Sequence, residues 1–163
     1  MTDTTAQSTA YTLDACINAA WSMAKRTIET KGHINFCAIL HDSVNHKVGY
    51  MPPVGLTKQD FADVLPLAVK EFDADIVLII CEAWIATRKN GETFPADVAV
   101  SDLPDRVEAV AVSWATADGQ RGTQVANIVR GEGGSVTIAE SNFKSTDSMN
   151  RFLDFAFGKP TLN

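Results

Sequence analysis

The longest apolar run of the chain spans residues 75–88 and carries one carboxylate, Glu82, near its middle. Apolar residues occupy both alternating faces of this run. That pattern is typical of a strand at the centre of a sheet, covered by helices on at least one side. The run therefore predicts the central strand and the location of the core.

Apolar residues recur at helical spacing in two segments. The first follows Thr12, a predicted N-cap, and ends at Gly32, a predicted C-cap. The second begins after Thr57, with Asp60 placed to complete a capping box. An interior proline removes a backbone hydrogen bond, so Pro66 predicts a kink or break in the second helix near the preceding residue.

Alternation of apolar and polar residues predicts the remaining strands. Residues 33–41 and 47–51 alternate around a polar turn and predict a hairpin. Residues 107–117 and 120–130 alternate around Asp118-Gly119, a signal for a two-residue turn that would place Val112 opposite Val125. Residues 136–138 predict a further strand, and a short helix is expected from residue 146 or 147 to Gly158.

These elements give the order α-β-β-α-β-β-β-β-α. The order predicts a single α+β domain with a largely antiparallel sheet packed by helices. Residues 1–10 are small and polar, so we expect a flexible N-terminal tail before a domain spanning residues 11–163. A chain of 163 residues, 45% hydrophobic, is long enough to bury one core.

Charge and composition exclude several classes of function. The net charge is −6, the pI is near 4.9, and Lys and Arg form no cluster, which argues against nucleic-acid binding. No apolar run approaches the ~18 residues that would span a membrane, and no signal peptide is recognised. The three cysteines lie in apolar patterns without CxxC spacing, so we expect reduced thiols and a cytoplasmic location.

Four residues are candidates for binding a ligand. An unpaired carboxylate in an apolar strand costs several kcal/mol, so Glu82 must be paired, protonated or directed at solvent or a ligand. Trp84 points to the same face, and Asp105 and Arg106 precede the next strand, where they could orient a polar ligand. The structural alternative is that Glu82 makes a hydrogen bond or salt bridge, and that Arg106 pairs with Glu82 or Glu108.

Other reactive side chains are not expected to form a site. His33 and His41 are separated by about 26 Å of extended strand, so they cannot share one metal ion. Only His41 and His46, with Asp42, could approach a common ion, and we predict no metal site. No catalytic residue and no cofactor are predicted. An enzyme with Glu82 as base ranks last, because no second catalytic group can be named from spacing.

Four short motifs suggest an origin. They are CEAW at residues 81–84, LPDRVEAV at 103–110, ANIVR at 126–130 and MNRFL at 149–153. Together they resemble a group of uncharacterised small proteins from bacterial, phage and prophage genomes, for which no activity is established. The resemblance covers most of the chain after the first helix and implies a phage or mobile-element setting.

We therefore expect a non-enzymatic accessory protein of a phage or mobile element that acts in the host cytoplasm by binding another protein. We also expect a homo-oligomer, because association would cover exposed sheet edges. The first alternative is a binder or sponge for a small, nucleotide-like signal in anti-defence, with the pocket formed by Glu82, Trp84, Asp105 and Arg106. The second alternative is a structural component of a virion.

Overall fold

The computed structural model describes residues 11–86, 97–140, 143–145, 151–154 and 156–157, and this part of the chain has an α+β fold. The helices are α1 (Leu13–Lys31) and α2 (Lys58–Glu71). The strands are β1 (Cys37–Asp42), β2 (Lys47–Met51), β3 (Ile76–Ile85), β4 (Val107–Thr116), β5 (Arg121–Arg130), β6 (Val136–Ile138) and β7 (Phe143–Ser145). Short 3₁₀ turns occupy Val100–Asp102, Glu132–Gly134 and Arg151–Asp154.

Both helices begin where the capping residues predicted. The Thr12 hydroxyl oxygen accepts a hydrogen bond from the Ala15 N–H, and Gly32 ends α1 in the left-handed region with φ 80°. At α2, the Thr57 hydroxyl and the Asp60 carboxylate bond reciprocally to each other's backbone N–H, which completes the predicted capping box. These predictions are confirmed because each depends on neighbours only a few residues apart.

The sequence predicted a kink or break in the second helix near Leu65, and the structure shows no break there. Helix α2 continues from Lys58 to Glu71 with Pro66 inside it. An interior proline costs roughly 3 kcal/mol. Phe61, Leu65 and Val69 flank it on one helix face and are all buried, and each buried side chain contributes about 1.5–3 kcal/mol. Tertiary packing on both sides of Pro66 therefore outweighs its local cost.

The sheet is antiparallel throughout, in the order β2-β1-β3-β4-β5-β6, and β7 pairs with β5. Strands β3 and β4 pair along their full lengths, from Ile76 opposite Thr116 to Ile85 opposite Val107. β3 has a strand on each side and five consecutive buried residues at its start. The prediction of a central strand is confirmed.

Each face of the sheet carries a buried hydrophobic cluster. On the face that we call the α1 face, Ile39, Leu78 and Val112 belong to one cluster with buried residues of α1. On the opposite α2 face, Val77 and Ile79 belong to a second cluster with buried residues of α2. Successive residues of β3 alternate between the two clusters, as a strand covered on both faces requires.

The hairpin of β4 and β5 differs from its predicted register by one residue. Val112 lies opposite Gln124 rather than Val125. The Thr116 N–H donates to the Gln120 carbonyl oxygen, so the loop has three residues and ends at Gly119 with φ 93°. A left-handed glycine in this position is typical of three-residue loops. The shift moves Val125 into a small cluster with Ala109 and Ala111.

Other predicted boundaries also change. The first strand begins at Cys37 instead of residue 33, and β7 was not predicted. A 3₁₀ turn at Arg151–Asp154 lies within the predicted C-terminal helix, and residues 146–150, 155 and 158–163 lie outside the described residues, as does the predicted tail at residues 1–10. No helix in the described part of the chain is both long and apolar enough to cross a membrane.

Candidate functional site

The end of β3 that carries Glu82 extends beyond its neighbour β1. The pairing of these strands ends where Cys37 lies opposite Ile80. Among the described residues, the last five positions of β3 pair with β4 alone, and their side chains are half-buried or exposed. Glu82 and Trp84 both point to the α1 face in this region. The carboxylate of Glu82, which stood out in the sequence, therefore marks the place where β3 leaves the hydrophobic core.

Glu82 holds the backbone that follows α1. Its Oε1 atom accepts a hydrogen bond from the Ile34 N–H at 2.6 Å. Ile34 is buried and lies in the segment between α1 and β1 that was predicted to be strand. A carboxylate is a strong acceptor for an amide, and here it substitutes for a missing strand partner. This contact fits the structural alternative for Glu82.

Trp84 and Arg106 lie against each other. The guanidinium carbon of Arg106 is 5.0 Å from the centroid of the Trp84 ring, which is a cation–π distance. Arg106 also donates from Nη1 to the carbonyl oxygen of Leu103 at 3.2 Å. Trp84 is 46% exposed, and Asp105 is an exposed turn residue beside Arg106. Two of the four candidate ligand-binding residues thus form a surface pair.

Sequence reasoning missed an ion pair beside Trp84. Glu108, directly opposite Trp84, accepts hydrogen bonds from Arg130 at 2.6 and 2.7 Å. Arg130 also donates to the Gly32 carbonyl oxygen at 2.9 Å, where α1 ends and a cation is favoured. Hydrogen bonds from Arg130 lower the pKa of Glu108. The predicted hairpin register would have placed Glu108 and Arg130 on opposite faces, so only the observed register reveals the pair.

Strand β2 forms one end of the sheet. Within the described residues it pairs only with β1, so its outer edge is free. Val48 and Tyr50 lie opposite His41 and Ile39 on the α1 face and are 53% and 59% exposed. Lys47 is the only charged residue of β2, and its Nζ lies 3.8 Å from Asp42 in β1. The rest of this edge is uncharged.

A groove runs beside this edge, between α1 and the β1–β2 hairpin. Its main cavity has a volume of about 500 Å³ and is lined by small and apolar side chains of α1 together with Ile39, His41 and Val48. A second cavity of about 220 Å³ contains Tyr50 and shares Met23 with the first. The free edge of β2 therefore adjoins an apolar surface that has room for further side chains.

His41 forms part of the floor of the main cavity. It is only 5% exposed, and its Nδ1 atom has no hydrogen-bond partner among the described residues. Burial lowers the pKa of His41, against an opposing effect of Asp75, so the imidazole is neutral at pH 7. The Tyr11 ring lies 6.0 Å from the His41 ring and 5.2 Å from the His46 ring.

The thiols and histidines suggest neither a nucleophile nor a metal centre. Burial raises the pKa of Cys81 to about 11 and also raises the pKa values of Cys16 and Cys37, which keeps these thiols protonated. Within the described ranges, no three or more His, Cys, Asp or Glu residues are grouped closely enough to hold a metal ion. The features that stand out chemically are the edge of β2 and the His41 side chain, whose Nδ1 atom has no hydrogen-bond partner among the described residues.

Comparisons with known proteins add no assignment. No protein-family model matches the chain, and searches of curated proteins and of solved structures find no significant match.

Proposed function

We propose that this protein acts by binding another protein, which adds an extended segment to the free edge of β2. The observation that carries the proposal is an edge of β2 that is free among the described residues, has its one charge at Lys47 and adjoins an apolar groove. The resemblance to phage and prophage proteins supplies the expected setting. Small-ligand binding at Glu82, Trp84, Asp105 and Arg106, and a role in a virion, stay predictions.

The backbone of β2 supplies the affinity in this proposal. In an antiparallel edge strand, part of the N–H and C=O groups point away from the sheet and are available to another strand. Proteins commonly block such edges with charged residues or proline. In β2 the one lysine lies at the first position near Asp42, and Pro52 and Pro53 follow the strand, so the positions between them are open.

The groove supplies the specificity. Alternate side chains of an added strand would point to the α1 face, beside Val48 and Tyr50 and over the cavities that share Met23. These surroundings favour apolar side chains at alternate positions of the partner segment. The expected homo-oligomer would use the same edge, because antiparallel self-pairing centred on Gly49 would set Val48 opposite Tyr50 twice.

The test uses a matched pair of Val→Lys variants on the same hairpin. Val48 lies on the edge strand, whereas Val44 lies in the turn and is 81% exposed. Peptides are selected on the wild-type protein from a phage-displayed library of random octapeptides, and their affinities are measured by fluorescence anisotropy. We expect alternating apolar positions in the selected peptides, at least a tenfold loss of affinity in Val48→Lys, and unchanged affinity in Val44→Lys.

The opposite results would refute the proposal. Selected peptides that bind Val48→Lys as tightly as wild type, or that lack apolar residues at alternate positions, would show that peptides bind at a site other than the edge of β2. Sedimentation velocity of the wild type, Val48→Lys and Val44→Lys tests whether a second copy of this chain binds the edge of β2. We expect a wild-type dimer that dissociates in Val48→Lys and persists in Val44→Lys, because the homo-oligomer would use the same edge; a dimer that persists in Val48→Lys would place self-association elsewhere.

A further inference from the structure

We infer that a cavity beside the start of β1 binds a small zwitterion with an aromatic body, such as an aromatic amino acid. This inference goes beyond the proposed binding of another protein and does not depend on it. Glu82 lines this cavity, but its other described lining residues come from the start of α2 and from the segment before β1 rather than from Trp84 and Arg106. The site therefore differs from the one predicted from the sequence.

The cavity lies where β3 extends past β1. Its volume of about 480 Å³ falls within the range of about 300–1,000 Å³ that is usual for small-molecule sites. Cys81 and Glu82 line it from the part of β3 that pairs only with β4 among the described residues. Phe61 belongs to the cluster of the α2 face, and Ile34 belongs to the cluster of the α1 face. The cavity therefore adjoins both faces of the sheet at this place.

Three phenyl rings form the apolar wall of the cavity. The ring centroids of Phe36 and Phe61 are 4.7 Å apart, and the Phe152 ring lies 5.3 and 5.4 Å from them. Phe36 and Phe152 are half-buried, so part of their surface is open. Aromatic rings associate favourably in edge-to-face or offset arrangements. The wall therefore favours a ligand with an aromatic body.

Glu82 supplies a negative charge beside this wall. Its Oε1 atom accepts the hydrogen bond from the Ile34 N–H, and Ile34 also lines the cavity. The side chain is half-buried, and Oε2, which has no hydrogen-bond partner among the described residues, is not sealed from solvent. An ammonium group is the partner that a carboxylate binds most strongly through hydrogen bonds. Glu82 therefore favours a ligand that carries an amine.

Lys58 supplies a positive charge. It is the first residue of α2, is exposed, and makes no ion pair within the described part of the chain. Lys58 and Glu82 are the charged residues among the described residues that line the cavity. Lys58 would repel a ligand with only an ammonium group, and Glu82 would repel one with only a carboxylate. A zwitterion avoids both repulsions, because its ammonium group binds Glu82 and its carboxylate binds Lys58.

The test compares L-phenylalanine with two analogues of similar shape. Phenethylamine lacks the carboxylate, and 3-phenylpropionate lacks the ammonium group. Each probe is titrated into the ¹⁵N-labelled protein, and amide shifts are followed by NMR. We expect L-phenylalanine to bind at least tenfold more tightly than either analogue, with shifts concentrated at Ile34, Phe36, Lys58 and Glu82.

Two variants that remove a charge assign each preference to one residue. Glu82→Gln keeps an oxygen that can accept from the Ile34 N–H, so only the charge is lost. It should abolish the preference for L-phenylalanine over 3-phenylpropionate and retain the preference over phenethylamine. Lys58→Gln should do the reverse. Lys70 is also exposed on α2 and does not line this cavity, so Lys70→Gln is the matched control and should retain both preferences.

Three results would overturn the inference: no shifts with L-phenylalanine up to its solubility limit, an analogue that binds the wild type as tightly as L-phenylalanine, or a preference that persists in the variant expected to abolish it. The probe comparison on the wild type is decisive even where a variant folds poorly. The Val48→Lys experiment measures peptide binding at the edge of β2 instead, so failure of either proposal is recognised separately.

Discussion

At the scale of single residues, Glu82 links the end of β3 to the segment after α1. Removing its carboxylate would leave the buried residue Ile34 with an unpaired N–H. We expect Glu82→Ala to lower the free energy of unfolding by about 1–3 kcal/mol, the usual cost of an unsatisfied buried donor. Urea denaturation followed by circular dichroism measures this change.

Glu82→Gln is the control, because its amide oxygen can still accept from Ile34. It should lose less stability than Glu82→Ala. If Glu82→Ala is as stable as wild type, the hydrogen bond to Ile34 does not support the fold, and the ligand-binding interpretation of Glu82 gains weight.

His41 makes stability depend on pH. Burial lowers its pKa in the folded state, and Asp75 opposes this effect. The unfolded chain, with a pKa near 6.5, therefore binds a proton at a pH where the folded protein does not. We expect the free energy of unfolding to decrease as pH falls from about 7.5 to about 5.5. Thermal and urea unfolding across this range measure the effect.

His41→Gln should weaken this dependence on pH. His46→Gln, an equivalent change at an exposed position beside the same Tyr11 ring, should retain it. Equal pH dependence in His41→Gln and wild type would show that another group is responsible.

At the scale of elements, α2 carries a proline that its packing tolerates. Pro66→Ala would restore a backbone donor inside the helix while giving the unfolded chain more freedom. Removing the proline from the helix interior stabilises the folded state by roughly 3 kcal/mol, and the added freedom of the unfolded chain offsets at most about 1 kcal/mol. We therefore expect the free energy of unfolding to rise by about 2 kcal/mol. Chemical denaturation measures it.

Leu67→Ala provides the comparison, because Leu67 is the next residue and is mostly exposed. Its stability should stay near that of wild type. A Pro66→Ala variant no more stable than wild type would mean that the side-chain contacts of Pro66 compensate for its missing N–H.

At the scale of the whole molecule, stability should decline from the middle of the sheet to its ends. β3 and β4 are paired on both sides and contribute residues to both buried clusters, whereas β2 ends the sheet among the described residues. We expect the slowest amide hydrogen exchange in β3 and β4 and faster exchange in β2. NMR-detected exchange of the purified protein measures this order.

Uniformly slow exchange in β2, equal to that in β3, would contradict a free edge. The same experiment in Val48→Lys would then show whether a second copy protects β2. Protection by a second copy would be lost in this variant, whereas protection within a single chain would remain.

The site was only partly predictable. Glu82 stood out because a carboxylate interrupts an apolar strand, and Trp84 because it shares the same face. The contact of Arg106 with Trp84 and the ion pair of Glu108 with Arg130 join residues about 20 positions apart. No local pattern encodes such contacts, because they depend on strand order and hairpin register. The cavity at His41 depends on the distance between α1 and the sheet.

The sequence by itself determined the α+β class, the caps of α1 and α2 and the central position of β3, because hydrophobic period and capping act between close neighbours. Tertiary structure decided the three-residue loop that ends at Gly119, the continuity of α2 through Pro66 and the free edge of β2. These features reflect competition between local cost and packing of distant segments, and that balance exists only once the chain has folded.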